Sequence, residues 1–225
     1  MKILDLIFPK QCINCKIEYL CKDCKKQLKP HREMCSSCHK YSNNYETCLD
    51  CKTAKEFFLD ILIPFSYTFL KKIILKLKYY HKKDLVDFLI DRVVIAIYAN
   101  NKLNNKLVQN VVVSGIPSHW HRRYFVKYNQ SYLLAKNLSK KLLEYKQFLK
   151  KTKKTKSQAS LDRARLQNLK NAFAFKDFSF LEKTKTLILV DDITTTGATM
   201  NEIAKLIKHK YPKISIWVVL GRKDS

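Results

Sequence analysis

Glycine and proline are scarce, at three and five positions in a chain of 225 residues. That excludes collagen-like repeats and proline-rich or mucin-like stalks, and a hydrophobic share of 46% argues against a wholly disordered chain. Acidic residues are also few: 19 Asp+Glu face 44 Lys+Arg, for a formal charge of +25. Long apolar runs are missing, and no window approaches the roughly 18 uninterrupted apolar residues of a spanning helix. The opening MKILDLIFPK carries Asp5 inside its apolar run, which is too short and interrupted for a signal peptide. Beyond Cys51 there is no cysteine at all. A disulfide-built extracellular chain rarely confines its cysteines to one end. The expectation is a soluble, cytoplasmic protein with reduced thiols and no membrane insertion, long enough for one ordinary domain plus a small module.

What is present begins with the thiols. They form four knuckles: Cys12-x2-Cys15, Cys21-x2-Cys24, Cys35-x2-Cys38 and Cys48-x2-Cys51. Each knuckle offers two thiolates from one tight turn, so four of them match two tetrahedral four-cysteine zinc sites. Large apolar residues are few between the knuckles, and metal binding would supply most of the folding energy of this segment. One zinc, disulfides or iron–sulfur chemistry are the alternatives. Sequential pairing of the knuckles gives two small ribbons, and spacing alone leaves a cross-braced pairing open. His31 and His39 read as surface histidines when eight thiols are at hand. Residues 1–55 hold 11 Lys/Arg and 6 Asp/Glu, and eight thiolates with two Zn²⁺ bring this stretch close to neutral. The positive excess therefore belongs to the rest of the chain. The expected division is a double zinc-ribbon module over 1–55 and an α/β domain over 56–225.

Near the other end the chain reads LILVDDITTTGATMNEIAKLIKHK from Leu187. Leu187–Val190 is a continuous apolar run of the kind found in central parallel strands covered on both faces. Asp191 and Asp192 are expected to end it. A small-residue turn, Thr194 to Thr199, leads into Ile203, Leu206 and Ile207 at helical spacing, and Ile214–Leu220 supplies the next strand of a βαβ unit. Hydroxyls and a glycine at a helix entrance offer free N–H groups and the positive end of the helix dipole, which suits a phosphate monoester. Two carboxylates beside it would repel that phosphate. They suit sugar hydroxyls or a substrate-bound Mg²⁺ instead. The competing reading is a Thr-capped helix behind an acidic strand end.

This segment resembles the phosphoribosyl pyrophosphate motif of type I phosphoribosyltransferases, an apolar strand followed by two acids and a TTGxT loop. The resemblance implies that Asp191 and Asp192 meet the ribose hydroxyls and that Thr195, Thr196, Gly197, Ala198 and Thr199 hold the 5′-phosphate. It also implies an open, mostly parallel sheet with helices on both faces and the site at the C-terminal edge of the strands.

Upstream, Val111–Val113 reads as a strand that runs into SGIPSHWHRRY. His119, His121, Arg122 and Arg123 crowd just past the turn, where arginine matches phosphate oxygens bidentately and the group could hold pyrophosphate. A basic helix start is the plainer alternative. Leu133, Leu134, Leu138, Leu142 and Leu143 stripe a helix and belong to the core. Residues 136–156 hold nine lysines and a single acid, Glu144, and the stretch LKKTKKTKSQ reads as a mobile basic loop. Phe65–Leu70 and Ile73–Leu77 look like a strand end and a short helix. Residues 84–99 form a helix with Leu85, Phe88, Leu89, Val93 and Ile97 inward.

Taken together, the cysteine module, the 187–200 motif, IPSHWHRR at 116–123, the triplet Tyr128, Asn129, Gln130, and the series Gln158, Leu161, Arg165, Asn168, Ala172, Phe173 resemble the ComF family along nearly the whole chain. Members usually carry Arg-Gly before a Phe-Asn-Gln triplet; here Val126 and Lys127 precede Tyr128. The resemblance implies a cytoplasmic role in natural transformation on incoming single-stranded DNA, with a competence helicase and DNA-processing proteins as partners. Lys150, Lys151, Lys153, Lys154 and Lys156 are then the candidate phosphate contacts, and Trp120 and Tyr128 the candidate stacking rings. A lysine-rich proteome would explain part of the same charge. The alternative function is a Mg²⁺-dependent phosphoribosyltransferase of unknown acceptor, or a nucleotide sensor coupled to DNA binding. No catalytic residue is assigned.

Elemental analysis of the purified chain should find about two zincs per molecule, the capacity of eight thiolates at four per ion. Cys35→Ser should unfold residues 31–55 and leave the 187–220 unit intact by hydrogen exchange.

Overall fold

Apolar runs that alternate with amphipathic stretches become a five-stranded sheet in the computed structural model. It describes residues 35, 40–43, 48–54, 60–62, 65, 70–71, 73–74, 77, 83–105, 110–117, 129–142, 144–152, 172–176, 178–194 and 198–222. The helices are α1 (Leu49–Ala54), α2 (Lys83–Ala99), α3 (Asn101–Asn104), α4 (Gln130–Leu142) and α5 (Ala198–Lys210). The strands are β1 (Asp60–Leu62), β2 (Val111–Gly115), β3 (Glu144–Tyr145), β4 (Leu149–Lys151), β5 (Phe173–Phe175), β6 (Thr186–Thr194) and β7 (Ser215–Arg222). The main sheet has the order β1-β7-β6-β2-β3, and every pairing in it is parallel.

The order has a mechanical consequence. From β2 the chain crosses through α4 to β3 on one side, and from β6 it crosses through α5 to β7 on the other. Two right-handed crossovers that run in opposite directions put their helices on opposite faces. Between β2 and β6 the connections therefore diverge at the C-terminal edge, the kind of switch point where open α/β sheets form a ligand-binding crevice.

Burial follows the expected pattern. Leu187, Ile188 and Leu189 are fully buried, all five residues of β2 are buried, and so are Leu85, Leu89, Val93 and Ile97 of α2. Phe88 packs against this core while partly exposed. Leu134 and Leu138 of α4 and Ile203 and Ile207 of α5 are buried too, with Leu133 and Leu206 at the margin. One residue sets the β2–β6 register from below. Asn110 takes the left-handed conformation, with φ 37°, that asparagine tolerates better than most residues. Its Nδ2 donates to the Lys183 carbonyl at 2.9 Å, and its carbonyl accepts the Lys185 N–H at 3.1 Å.

Three expectations are corrected. The basic stretch after Phe148 begins as a strand: β4 pairs antiparallel with β5, Lys150 opposite Ala174 and Lys151 opposite Phe173. Its anchor is aromatic. Phe148 is 1% exposed, stacks on Phe175 at 6.1 Å and meets Phe180 edge-on at 5.3 Å. Lys210, at the end of α5, sits 3.6 Å from the Phe178 ring centroid and joins that helix to the same cluster. The first strand lies at Asp60–Leu62, earlier than Phe65–Leu70 suggested, and Leu70 is already helical beside the buried helical Ile73, Ile74 and Leu77. Third, β6 does not stop at the acids but runs on to Thr194. Among the described residues, no helix is long and apolar enough to cross a membrane.

Candidate nucleotide site and metal centre

β2 and β6 pair in register from Val111↔Thr186 to Gly115↔Val190, and the Ile116 N–H extends the ladder to the Val190 carbonyl at 3.0 Å. Asp191 is the next residue of β6. The β6–β7 register shifts between Val190 and Ile193, then resumes with Ile193 opposite Gly221 and Thr194 opposite Arg222. Asp191 and Asp192 thus occupy an irregularity inside a strand, a device that re-aims side chains and gathers near active sites.

The start of α4 meets this point. Asn129 caps the helix: its Oδ1 accepts the Ser131 N–H at 2.9 Å, and its Nδ2 donates to the Ile116 carbonyl at 2.9 Å. One side chain thereby joins the helix entrance to the end of β2. Ser131, 5% exposed, donates from Oγ to Asp191 Oδ1 at 2.9 Å. The approach is close enough to demand glycine at 115. A Cβ there would lie 2.7 Å from both the Ser131 carbonyl oxygen and Tyr132 Cδ1. From the other side, Gln147 Nε2 donates to the carbonyls of Gly115 and Leu149, each at 3.2 Å, and its Oε1 accepts the Tyr145 hydroxyl at 3.0 Å. Burial pushes the Tyr145 phenol above its ordinary pKa and keeps it a neutral donor.

Two polar groups at this junction are buried without a hydrogen-bond partner, Ser114 Oγ at the end of β2 and Gln130 Nε2 in the first turn of α4. Both can donate to ligand oxygens. α5 begins at Ala198, with Thr199 half-buried in its first turn. Thr195, Thr196 and Gly197 lie outside the described residues, as do His119, Trp120, His121, Arg122, Arg123, Tyr128, Lys153, Lys154 and Lys156. Of the candidate DNA contacts, Lys150 is exposed on β4, and Lys151 is half-buried with its Nζ 5.7 Å from the Phe173 ring centroid.

Sequence reasoning singled out the acids and missed what holds them. Gly115 reads from sequence only as a turn residue, and Ser131 and Gln147 drew no attention. The available signal was Asn129 two residues ahead of Ser131, directly before an apolar helical stripe, which is an N-cap signature.

The metal-ligating cluster is built separately. The Sγ atoms of Cys35, Cys48 and Cys51 lie within 4.8 Å of one another. Tetrahedral zinc at about 2.3 Å from each sulfur needs sulfurs roughly 3.8 Å apart, so a small contraction closes the site and the donors fit. The Cys48 N–H donates to Cys35 Sγ at 3.3 Å, and the Cys35 N–H to the Lys40 carbonyl at 2.8 Å. The third and fourth knuckles therefore meet each other, as sequential pairing requires. Cys12, Cys15, Cys21, Cys24, Cys38, His31 and His39 lie outside the described residues.

Comparison with known proteins agrees with both halves. Residues 129–225 match the phosphoribosyl transferase domain family, and residues 3–52 match the double zinc ribbon domain family. Competence protein F of Haemophilus influenzae is 28% identical over 222 residues, which cover 93% of this chain and 96% of that protein. The DNA utilization protein YhgH of Escherichia coli K12 is 34% identical over 103 residues, 44% of each chain.

Gly115→Ala tests the junction. The new methyl must push the start of α4 off β2, at a cost of about 1–3 kcal/mol, the usual range for overpacking. Urea unfolding of the full chain should show that loss as a lower midpoint with an unchanged slope.

Proposed function

We propose that the chain, similar to competence protein F along nearly its whole length and matching a double zinc ribbon ahead of a phosphoribosyl transferase domain, is a cytoplasmic competence factor of the ComF type that binds incoming single-stranded DNA and carries a phosphoribosyl pyrophosphate site. The observation that carries the nucleotide part is the position of Asp191, at the β2–β6 crevice and hydrogen-bonded to Ser131 at 2.9 Å. The buried, unpartnered donors of Ser114 and Gln130 beside it support a ligand rich in oxygen acceptors. In this reading Asp191 and Asp192 hold the ribose hydroxyls, and Thr195, Thr196, Gly197, Ala198 and Thr199 hold the 5′-phosphate. His119, Arg122 and Arg123 would bind the pyrophosphate, whose oxygens Mg²⁺ would share. Bound Mg²⁺ would offset the negative charge of the pyrophosphate.

The zinc-ribbon module, residues 1–55, takes two zincs: one through Cys12, Cys15, Cys21 and Cys24, the other through Cys35, Cys38, Cys48 and Cys51. The domain over 56–225 carries the charge for DNA. Lys150, Lys151, Lys153, Lys154 and Lys156 neutralise backbone phosphates, and Trp120 and Tyr128 stack on bases. The net charge of +25 favours such a polyanionic partner. A competence helicase and other DNA-processing proteins are the expected protein partners.

The second reading is a phosphoribosyltransferase, which the same pair of unpartnered donors favours, since an acceptor would also need recognition at that edge. Labelled phosphoribosyl pyrophosphate separates the two: pyrophosphate release stimulated by a nitrogen acceptor identifies a transferase, and binding without turnover a sensor.

Calorimetry with phosphoribosyl pyrophosphate and Mg²⁺ should give saturable binding by the parent chain. The double variant Asp191→Asn, Asp192→Asn should abolish it while the circular dichroism spectrum stays unchanged. No binding by the parent at millimolar ligand would overturn the site from Asp191 to Thr199.

Single-stranded DNA binding should weaken steeply with salt. Neutralising Lys150, Lys151, Lys153 and Lys154 should flatten the log–log slope by about 0.7 for each lysine that meets a phosphate. An unchanged slope would remove these lysines from the interface.

A further inference from the structure

Ser131 reaches the acid pair from a different element. Its position is over-determined. Asn129 accepts the Ser131 N–H at 2.9 Å, the absent side chain of Gly115 lets the Ser131 backbone settle against β2, and the residue is 5% exposed. The hydroxyl therefore has little freedom, and it donates to Asp191 Oδ1 at 2.9 Å. An aspartate carboxylate otherwise turns easily about its last torsion, which is broad and roughly two-fold. With Oδ1 tied to a buried donor on another element, that rotation is restrained. The first turn of α4 adds the positive end of its dipole on the same side of the carboxylate. The N-terminus of α4 is thus engaged by the protein's own acid, while the N-terminus of α5 follows the small-residue turn where a ligand phosphate is expected.

A carboxylate fixed in this way can do more than attract a sugar. One that pivots accepts a hydroxyl from many directions and separates related sugars poorly. One that is held accepts hydroxyls at set positions, so a sugar lacking such a hydroxyl forfeits a hydrogen bond to a charged group.

We propose that Ser131 is a positioning residue that sets the sugar specificity of this site: by locking the Asp191 carboxylate it makes binding depend on a vicinal ribose diol and rejects 2-deoxyribose. The proposal rests on the reading of Asp191 as a sugar ligand. It matters for a chain that would also meet DNA, because deoxyribose phosphates would otherwise compete for the same crevice.

The probes are ribose 5-phosphate and 2-deoxyribose 5-phosphate, each with Mg²⁺, titrated into the full-length zinc-loaded protein. The parent should favour the ribose compound. In Ser131→Ala the preference should fall by about tenfold, the scale of one hydrogen bond to a charged group, through weaker ribose binding. Ser131→Thr, which keeps the hydroxyl, should restore the parent ratio, and affinity for single-stranded DNA should not move in either variant. If the alanine chain does not fold by circular dichroism, Ser131→Cys, similar in size with a weak donor, takes its place and should show the same fall in preference. An unchanged ratio in the folded variant, with the parent selective, overturns the role of Ser131 and leaves the sugar site standing. Equal affinity of the parent for both sugars overturns the specificity claim. Absence of binding by the parent to either sugar and to phosphoribosyl pyrophosphate overturns the underlying reading of Asp191, and the role of Ser131 with it.

Discussion

The parallel pairing of β2 with β6 is the interaction on which the rest of this domain depends. It joins segments about seventy residues apart in the chain, and it is the place where the two crossovers leave in opposite directions. Local preference does not produce such a pair: a continuous apolar strand gains nothing until both of its faces and both of its edges are covered. Asn110 starts the register at one end, through the carbonyl and N–H of the 183–185 turn. At the other end Asn129, Ser131 and Gln147 converge on the last residues of β2 and on Asp191. The ladder in between is mostly apolar, and its two ends are polar for different reasons. One end is a turn that must satisfy its own backbone. The other is a sheet edge that leaves two buried donors, Ser114 Oγ and Gln130 Nε2, without a partner.

That excess is visible in the accounting of hydrogen bonds. Buried polar groups in folded proteins are nearly always paired, since leaving one unpaired costs about 1–3 kcal/mol. Among the described residues, three buried side-chain atoms lack a partner, and Ser114 Oγ and Gln130 Nε2 both sit where β2 meets α4. Meanwhile the acid pair of a chain with charge +25 sits in a strand irregularity instead of on a solvated loop.

The two halves of the chain are held by different physics. Past residue 83 the described structure rests on apolar burial, with Leu187, Ile188, Leu189 and Trp217 at 0% exposure and the Phe148 cluster as a satellite that fastens the β4–β5 ribbon. The cysteine segment has little of this. Cys35, Cys48 and Cys51 come within reach of one ion, and there a bound metal would take the part that a hydrophobic core takes elsewhere. The ribbon also alters how the lysines are presented. Lys150 and Lys151 ride on a strand paired opposite Ala174 and Phe173, so that pairing orders their backbone.

Much of this was legible in the residues alone. Four evenly built CxxC knuckles announce metal because thiolate pairs need little else. An apolar run, two acids and a hydroxyl-glycine turn before a helix announce a ligand edge because strand, turn and helix each leave their own periodicity. The helix over 84–99 and its inward residues follow from the same periodicity. Other features depend on partners far away in sequence. A three-residue strand such as β4 has too few positions for a pattern, and lysines hide it, so only pairing with β5 makes Lys150 and Lys151 part of a ribbon. The continuation of β6 past Asp191 depends on Gly221 and Arg222 of β7 lying opposite. Gly115 looks like any turn glycine until Ser131 stands 2.7 Å from its absent Cβ, and Ser131 looks like any serine in a helix until Asp191 is beside it. Composition and spacing determine what a segment is able to do. Which acid is held, by which hydroxyl and against which glycine is decided only by tertiary structure, because a hydrogen bond across sixty residues leaves no period in the chain that makes it.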